Sequence, residues 1–299
     1  MRVTRGLWLA MVAACGGSDP GDPTDARVVD AASDGAPAPD ASPNAFHYEV
    51  TILDINGALS PMHDQLIACA RGGLDEWGTY LSGMGTLTVE IRVTSTATGR
   101  MAGASTSNVS VGPCAHTASC TVVEEQAIRR LRTGLDNPAM VGVPDVHIDV
   151  DPSYWNTQVW VDPDPQARTA PVPGDRLDCV SLFTHELGHA FGMVGFRDLT
   201  TFQPTVAFQS LYDDQIQVGT DTLTFNGPLT VGDFGPIPLT RTSATQNVYH
   251  YGDASTPGPI DTLLMNGIVY EYGHRYRVQK LDARIVEDLG VPVYRLPAQ

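Results

Sequence analysis

Basic residues are scarce in this chain of 299 residues. Lysine and arginine number 18 against 34 aspartate and glutamate, which gives a formal net charge of −16 at pH 7. No lysine- and arginine-rich cluster is dense enough to indicate nucleic-acid binding, and the acidic balance argues against such a partner. Apolar residues make up 42% of the chain, so a sizeable core is expected, in one large domain or two smaller ones.

The apolar run near the start is too short to cross a membrane as a helix. It extends from Gly6 to Ala14 and follows Arg2 and Arg5, a pattern that predicts a signal peptide over residues 1–14. The sequence Val-Ala-Ala-Cys that ends at Cys15 resembles the lipobox of bacterial lipoproteins, which implies that Cys15 carries lipid. The alternative is an ordinary signal peptide, with Cys15 discarded.

Large apolar residues are almost absent after this cysteine, up to residue 45. The segment is rich in Asp, Pro, Ala, Ser and Gly and cannot bury enough surface to fold. We therefore expect a lipidated, disordered tether over residues 15–45 and a folded domain over residues 46–299. The expected location is the bacterial cell envelope, lipid-anchored or extracellular, with the membrane reached only through the anchor.

Cysteine is also scarce, with five in the chain. If one carries lipid, an even set of four remains, which in an exported protein predicts two disulfides with three possible pairings. Cys114 and Cys120 are close enough in sequence for a local bridge, which leaves Cys69 to pair with Cys179. A small metal site that includes His116 is the alternative, but its spacing fits no usual ligand pattern.

The motif H-E-x-x-H, from His185 to His189, is the strongest chemical signal in the sequence. Residues four apart lie on one face of a helix, so the two imidazoles can point at one metal ion. Glu186 is placed to take a proton from a water molecule at the metal. Apolar residues predict a buried helix over Leu177–Met193, where unpaired histidines would be costly. The alternative is a chance match, with both histidines hydrogen-bonded in the core.

Strand and helix patterns alternate along the first part of the folded domain. They predict an α/β (α+β) fold with a mostly parallel sheet over residues 46–194, and an irregular region over residues 195–299 that ends in a helix. The predicted strands are Tyr48–Asp54, Gly85–Thr96 and Asp145–Asp149, with strand-like runs at Trp155–Val161 and Thr220–Phe225. The predicted helices are Met62–Tyr80, Val122–Arg132, Leu177–Met193 and Val278–Leu289, and Met101–Cys120 is predicted to be a loop.

A zinc site needs a third protein ligand and an open position for water. The extended motif H-E-x-x-H-x-x-G-x-x-H keeps its glycine as Gly192, but Gly195 stands where its last histidine would be. Together with the sequence Leu-Leu-Met-Asn-Gly around Met265, the motif resembles the metzincin clan of zinc metalloproteases. The missing histidine makes it similar to the leishmanolysin branch, in which an insertion delays the third ligand.

This resemblance implies a two-lobed protease with a mixed sheet and the active-site helix in residues 46–194. It implies that His250, which precedes Met265, is the third ligand, with His274, Asp198 and Asp253 as alternatives. It also implies that Met265 forms a methionine turn beneath the metal, for which plain core packing is the alternative.

The function implied is a zinc-dependent endopeptidase with one zinc ion, a peptide or protein substrate, and Glu186 as general base. We expect a monomer, and an exposed strand near Asp145–Asp149 that pairs with the substrate chain. Tyr270 and Tyr272 are open candidates for stabilising the oxyanion. The alternatives are a non-catalytic, zinc-containing surface-binding lipoprotein and a zinc hydrolase of non-peptide amides.

Overall fold

The computed structural model describes residues 28–29, 45–97, 99–114, 120–204, 207–241, 248–252, 258–267 and 270–297. The predicted signal peptide, Cys15, His116 and Asp253 lie outside these residues. The strands are β1 (Val28–Val29), β2 (His47–Leu53), β3 (Thr86–Val93), β4 (Met101–Ser105), β5 (Asn108–Pro113), β6 (Thr121–Glu125), β7 (Val146–Val150), β8 (Val159–Trp160), β9 (Leu177–Asp178), β10 (Phe208–Ser210), β11 (Ile216–Val218), β12 (Leu223–Phe225) and β13 (Ile237–Pro238). The helices are α1 (His63–Gly78), α2 (Gln126–Thr133), α3 (Pro152–Gln158), α4 (Cys179–Ala190), α5 (Leu211–Asp214), α6 (Pro228–Phe234) and α7 (Lys280–Asp288).

A five-stranded sheet forms the first part of the fold, in the order β1-β2-β3-β7-β4. The strands β2, β3 and β7 are parallel, whereas β1 and β4 run antiparallel to their neighbours at the two edges. Alternate residues such as Val89, Ile91 and Ile148 point into the core. The protein is thus a mixed α/β structure, as predicted, while its two-lobed protease architecture stays a prediction.

The strand predicted near Asp145–Asp149 is β7, and the prediction that it is exposed is wrong. It lies between β3 and β4 and pairs with both of them. The edge strand on this side of the sheet is instead β4, which is largely buried and falls in the stretch predicted to be a loop. This strand consists of Met-Ala-Gly-Ala-Ser and lacks the β-branched residues by which strands are usually recognised.

Two other predicted elements differ in the structure. Residues predicted as the start of a helix at Val122 form β6, because they pair with β5 and β10, and the helix α2 begins only at Gln126. Residues around Trp155 form α3, which begins after the N-cap Asp151, and only Val159–Trp160 pair as a strand. A third difference is β1, which adds two residues of the predicted tether to the edge of the sheet.

The helix that carries the H-E-x-x-H motif, α4, begins at Cys179, two residues later than predicted, because Leu177 and Asp178 pair with β8 as the strand β9. The Asp178 carboxylate accepts a hydrogen bond from the Ser181 backbone N–H at 3.0 Å. After the helix ends at Ala190, Gly192 adopts a φ of 107°, a conformation that favours glycine. Every residue of α4 is buried, and Gly73 of α1 lets the two helices approach, since a Cβ there would lie 3.0 Å from the Thr184 nitrogen.

Residues beyond α4 form short elements rather than a second large sheet. The strands β11, β12 and β13 make a small antiparallel sheet. The helix α6 packs against the final helix α7, which lies within the helix predicted at Val278–Leu289. Gln279 and Asp282 form a capping box at the start of α7. Among the described residues, no helix is both long and apolar enough to span a membrane.

Candidate metal centre

Three buried histidines converge at one point of the structure. His185 and His189 come from α4, and His250 comes from the segment that follows β13. The Nε2 atom of His250 lies 3.2 Å from Nε2 of His185 and 3.1 Å from Nε2 of His189. One nitrogen from each ring lies within 4.8 Å of the others, a group that could hold a metal ion.

Hydrogen bonds from the outer ring nitrogens orient two of these rings. The Nδ1 atom of His185 lies 2.7 Å from the Leu264 carbonyl oxygen, and Nδ1 of His189 lies 2.7 Å from the Met193 carbonyl oxygen. Since a carbonyl only accepts, Nδ1 carries the proton in both rings, and each Nε2 keeps a lone pair in the neutral state. Such facing lone pairs repel one another unless a cation lies between them, so the site fits a metal ion.

Burial favours the neutral state that metal binding requires. It lowers the pKa of His185 to about 3, with a smaller contribution from His189, while the bond to Leu264 opposes the shift. It also lowers the pKa of His189 to about 4. Both imidazoles are therefore ready to bind a metal at neutral pH without first losing a proton.

A short ladder of backbone hydrogen bonds places His250. The next residue, Tyr251, donates its N–H to the Met265 carbonyl at 3.0 Å and accepts from the Gly267 N–H at 3.1 Å. On the other side, the Thr240 N–H donates to the His250 carbonyl at 3.0 Å. Gly267 has no room for a side chain, because a Cβ would lie 2.7 Å from the Cβ of His250.

The side chain of Tyr251 joins this ladder to the last helix. Its hydroxyl donates to Oδ1 of Asp282 and accepts from the Met265 N–H at 3.2 Å. The other carboxylate oxygen of Asp282 accepts from the Gln279 N–H at 2.7 Å at the start of α7. The three side chains of Tyr251, Asp282 and Met265 are completely buried, so α7 supports the segment that carries the third histidine.

Met265 lies against α4, the helix that carries the motif histidines. A Cβ on Gly188, between the two motif histidines, would stand 2.5 Å from the Met265 sulfur. The side chain is fully buried and belongs to the main core cluster. It therefore lies directly behind the three histidines, which agrees with either a methionine turn or plain core packing.

Glu186 is buried beside the histidines, with its carboxylate at the edge of the sheet. Its Oε2 accepts a hydrogen bond from the Gly103 N–H of β4 at 2.6 Å. Burial raises its pKa to about 7, although the Gly103 bond and the nearby Arg100 act in the opposite direction. A carboxyl group with such a pKa can both accept and return a proton near neutral pH.

The alternative third ligands that the structure describes lie in other surroundings. The side chain of His274 is 61% exposed and lies 3.2 Å from the Glu271 carboxylate. Asp198 accepts hydrogen bonds from the backbone of Thr200 and Thr201, within its own turn. Among the residues that the structure describes, no further His, Cys, Asp or Glu atom joins the three histidines.

The two tyrosines left open by the sequence lie in different environments. The ring of Tyr270 contacts His185 edge to face, with 5.4 Å between centroids, and is partly buried. Tyr272 is 47% exposed and donates its hydroxyl to Gln158 of α3. Sequence reasoning had no basis for separating them, because the difference depends on packing.

Both predicted cysteine pairs are confirmed. Cys69 of α1 bonds to Cys179, the first residue of α4, and so joins the motif helix to its neighbour. Cys114 bonds to Cys120, six residues further along the chain. The alternative of a metal site at these two cysteines is thereby excluded, since disulfide sulfurs are not thiolate ligands.

Comparison of the chain with protein-family models, with curated proteins and with solved structures finds no match. The function is therefore inferred from the residues of the site themselves.

Proposed function

We propose that this protein is a zinc-dependent endopeptidase. The observation that carries the proposal is the group of three buried histidine nitrogens with no fourth protein ligand among the described residues, next to the buried carboxylate of Glu186. Catalytic zinc sites have three protein ligands and keep a position open, whereas structural sites are usually closed by four.

The donor set supports zinc as the metal. Three neutral imidazoles are ligands that zinc accepts in tetrahedral sites, and hard cations such as Ca²⁺ and Mg²⁺ prefer oxygen. His185, His189 and His250 would hold the ion, with the first two fixed by their bonds to backbone carbonyls. When bound, zinc supplies Lewis-acid polarisation of a carbonyl and lowers the pKa of water.

Glu186 is the proposed general base and acid. Its carboxylate takes a proton from the attacking water, whose oxygen forms a bond to the peptide carbonyl carbon. The C–N bond then breaks, and Glu186 gives the same proton to the leaving amine. The pKa of about 7 suits both directions of transfer, and the Gly103 N–H holds the carboxylate beside the sheet edge.

The strand β4 is the proposed docking edge for an extended substrate. The Asp151 N–H donates to the Arg100 carbonyl and the Thr106 N–H to the Asp145 carbonyl, so even-numbered residues of this segment face β7. The backbone groups of Met101, Gly103 and Ser105 therefore face away from the sheet. A peptide that adds here as a further strand beside Glu186 would pair with the remaining groups of this edge, because the Gly103 N–H already donates to the Glu186 carboxylate.

The proposal is tested by a peptide-library cleavage assay on the purified protein loaded with one equivalent of zinc. The wild type should cleave, and the Glu186→Gln variant should keep its zinc but lose hydrolysis. Glu271→Gln, which changes an exposed carboxylate, is the matched control and should retain full activity. No cleavage by the wild type, or equal cleavage by Glu186→Gln, would contradict the proposal.

A surface-binding lipoprotein with a structural zinc ion is the second candidate. It predicts that zinc stabilises the fold of the wild type while no library peptide is cleaved. In either case we propose that the chain is exported to the bacterial envelope and anchored through lipid on Cys15, which mass spectrometry of the mature protein would test.

A further inference from the structure

An arginine without a carboxylate partner lies at the start of the edge strand β4. Arg100 immediately precedes this strand, and its carbonyl accepts the Asp151 N–H at 3.1 Å, which extends the pairing with β7 by one residue. The Arg100 side chain is partly buried, and its Nε has no hydrogen-bond partner among the described residues. Removing a charge from water is costly unless an anion compensates it, so this guanidinium does not serve the fold alone.

Other arginines with largely buried side chains do have carboxylate partners. Arg168 lies 2.8 Å from Asp178, and Arg275 is paired with Asp162. No carboxylate of the described residues forms such a pair with Arg100. Acidic residues outnumber basic ones by 34 to 18 in this chain, so the missing partner of Arg100 is not due to a shortage of carboxylates.

The charge of Arg100 acts on the carboxylate of the proposed general base. Burial, the largest effect, raises the pKa of Glu186 to about 7, while the hydrogen bond from Gly103 and the charge of Arg100 both lower it. Gly103 holds the Glu186 carboxylate and is three residues further along the same segment, which corresponds to roughly 10 Å of extended chain. Arg100 therefore lies beside the bond that the proposed enzyme would cleave.

Strand alternation decides which part of a substrate Arg100 would meet. Gly103 packs on Glu186 at one face of the sheet, so Ala102 and its partner Asp149 belong to the opposite face, and Arg100 shares their even-numbered register. A peptide strand added to β4 presents every second side chain on that face. Cross-strand neighbours on one face of a sheet interact, and the small side chain of Ala102 leaves space for a longer one opposite it.

We infer that Arg100 binds a carboxylate of the peptide substrate and so makes the enzyme selective for acidic peptides. This inference rests on the proposed endopeptidase function. The planar guanidinium carries a fork of N–H donors that matches the two oxygens of a carboxylate. That carboxylate belongs either to an aspartate or glutamate side chain near the cleaved bond or to the C-terminus of the substrate.

The test compares pairs of peptides that differ in a single charge. The parent is a peptide that the wild type cleaves in the library assay, with its C-terminus amidated, and Glu or Gln is placed at each position around the cleaved bond. At one position kcat/KM should be about 10–100-fold higher for Glu than for Gln, the size of a charge-assisted hydrogen bond. The adjacent positions, whose side chains point to the other face, should show no such difference.

A second pair of peptides identifies the source of the carboxylate. It consists of the parent peptide with a free C-terminal carboxylate and the same peptide as the amide. A preference for the free acid, with equal cleavage of Glu and Gln at every position, would assign the bound group to the C-terminus. Equal kcat/KM for both members of every pair would overturn the inference.

Variants of Arg100 assign the preference to this side chain. Arg100→Gln should bring the ratio of kcat/KM for the charged and neutral peptides close to one, and Arg100→Lys should retain part of the preference. The ratio is the readout because loss of the charge also acts on Glu186 and changes the cleavage of all peptides alike. Arg92→Gln is the matched control and should keep the wild-type ratio, since Arg92 is paired with Glu90 on β3, two strands in from the edge.

The inference and the proposed function fail in different ways. Zinc content and Tm show whether each variant is folded, and the peptide pairs decide the inference on the wild type even if a variant is not. If the wild type cleaves peptides, Glu186→Gln does not, and the preference is missing or persists in folded Arg100→Gln, the inference alone is overturned. If the wild type hydrolyses nothing, both are overturned.

Discussion

The Met265 sulfur lies against the backbone of Gly188, so closely that a β-carbon on this glycine would stand 2.5 Å from it. Gly188 is enclosed between His185 and His189 on α4, and the methionine side chain fills the space behind them. The spacing of the two motif histidines and the position of the Met265 loop are therefore coupled through direct contact.

Gly188→Ala should destabilise the protein even though alanine is the better helix former. The methyl group overlaps the methionine side chain, and overpacking in a core costs about 1–3 kcal/mol. Gly232 of α6 has open space around it, so Gly232→Ala should stabilise slightly, by up to about 1 kcal/mol. Chemical denaturation measures the free energy of unfolding of the two variants, and zinc titration measures their affinity for the metal. Adding Met265→Ala should recover part of the loss, and a stability gain in Gly188→Ala alone would refute the contact.

Tyr251→Phe should weaken both the fold and the metal site. It removes the hydroxyl that donates to Asp282 and accepts from the Met265 N–H, and leaving those buried groups unpaired costs about 1–3 kcal/mol. Because His250 precedes Tyr251, zinc affinity should fall as well, as measured by competition with a chromophoric chelator. Tyr294→Phe removes an exposed hydroxyl and should leave zinc affinity at the wild-type value.

The two disulfides should differ in their contribution to stability. Replacing Cys69 and Cys179 by alanine opens a loop with a sequence separation of 110, whereas Cys114 and Cys120 close one of 6. Loop entropy predicts losses of about 4–5 and about 2 kcal/mol respectively. Equilibrium unfolding in denaturant compares the two double variants, and equal losses would mean that loop length does not set the contribution here.

Glu125 should make the protein less stable as pH rises. Burial raises its pKa to about 8, with Asp213 and Glu124 adding to the shift, and its Oε2 has no hydrogen-bond partner among the described residues. Between the ordinary pKa of 4.5 and about 8, the Glu125 carboxyl ionises in the unfolded chain but stays protonated in the folded protein. The stability that the protonated Glu125 contributes is therefore complete below pH 4.5 and is lost progressively up to about pH 8.

Glu125→Gln removes this ionisation while keeping the shape of the side chain. The variant should be more stable than the wild type at pH 7, by on the order of 1–3 kcal/mol, and the difference should shrink towards pH 4.5. Thermal unfolding across this range tests it. A wild-type curve parallel to that of the variant would show that Glu125 does not titrate as described.

Local spacing in the sequence made two of the three histidines of the candidate site predictable. The four-residue step between His185 and His189 fixes a helical face, so the convergence of these two imidazoles could be derived from the sequence. The order of His250 before Met265 pointed to the third histidine, which the structure brings to the other two.

Contacts between distant segments were beyond sequence reasoning. The strand β4 contains small residues because Gly103 lies so close to α4 that a Cβ would overlap the backbone of Glu186, and such closeness leaves no periodic pattern. The Tyr251–Asp282 bond joins two segments whose local sequences contain no sign of each other.

The support that α7 gives to the third histidine has a consequence for biosynthesis. A ribosome makes His185 and His189 long before Asp282, so a growing chain has two of the three ligands while the anchor for His250 does not yet exist. Under the proposed endopeptidase function, activity would arise only once α7 has been made and has docked. The proposed export of the chain would then keep that activity from appearing inside the cell during translation.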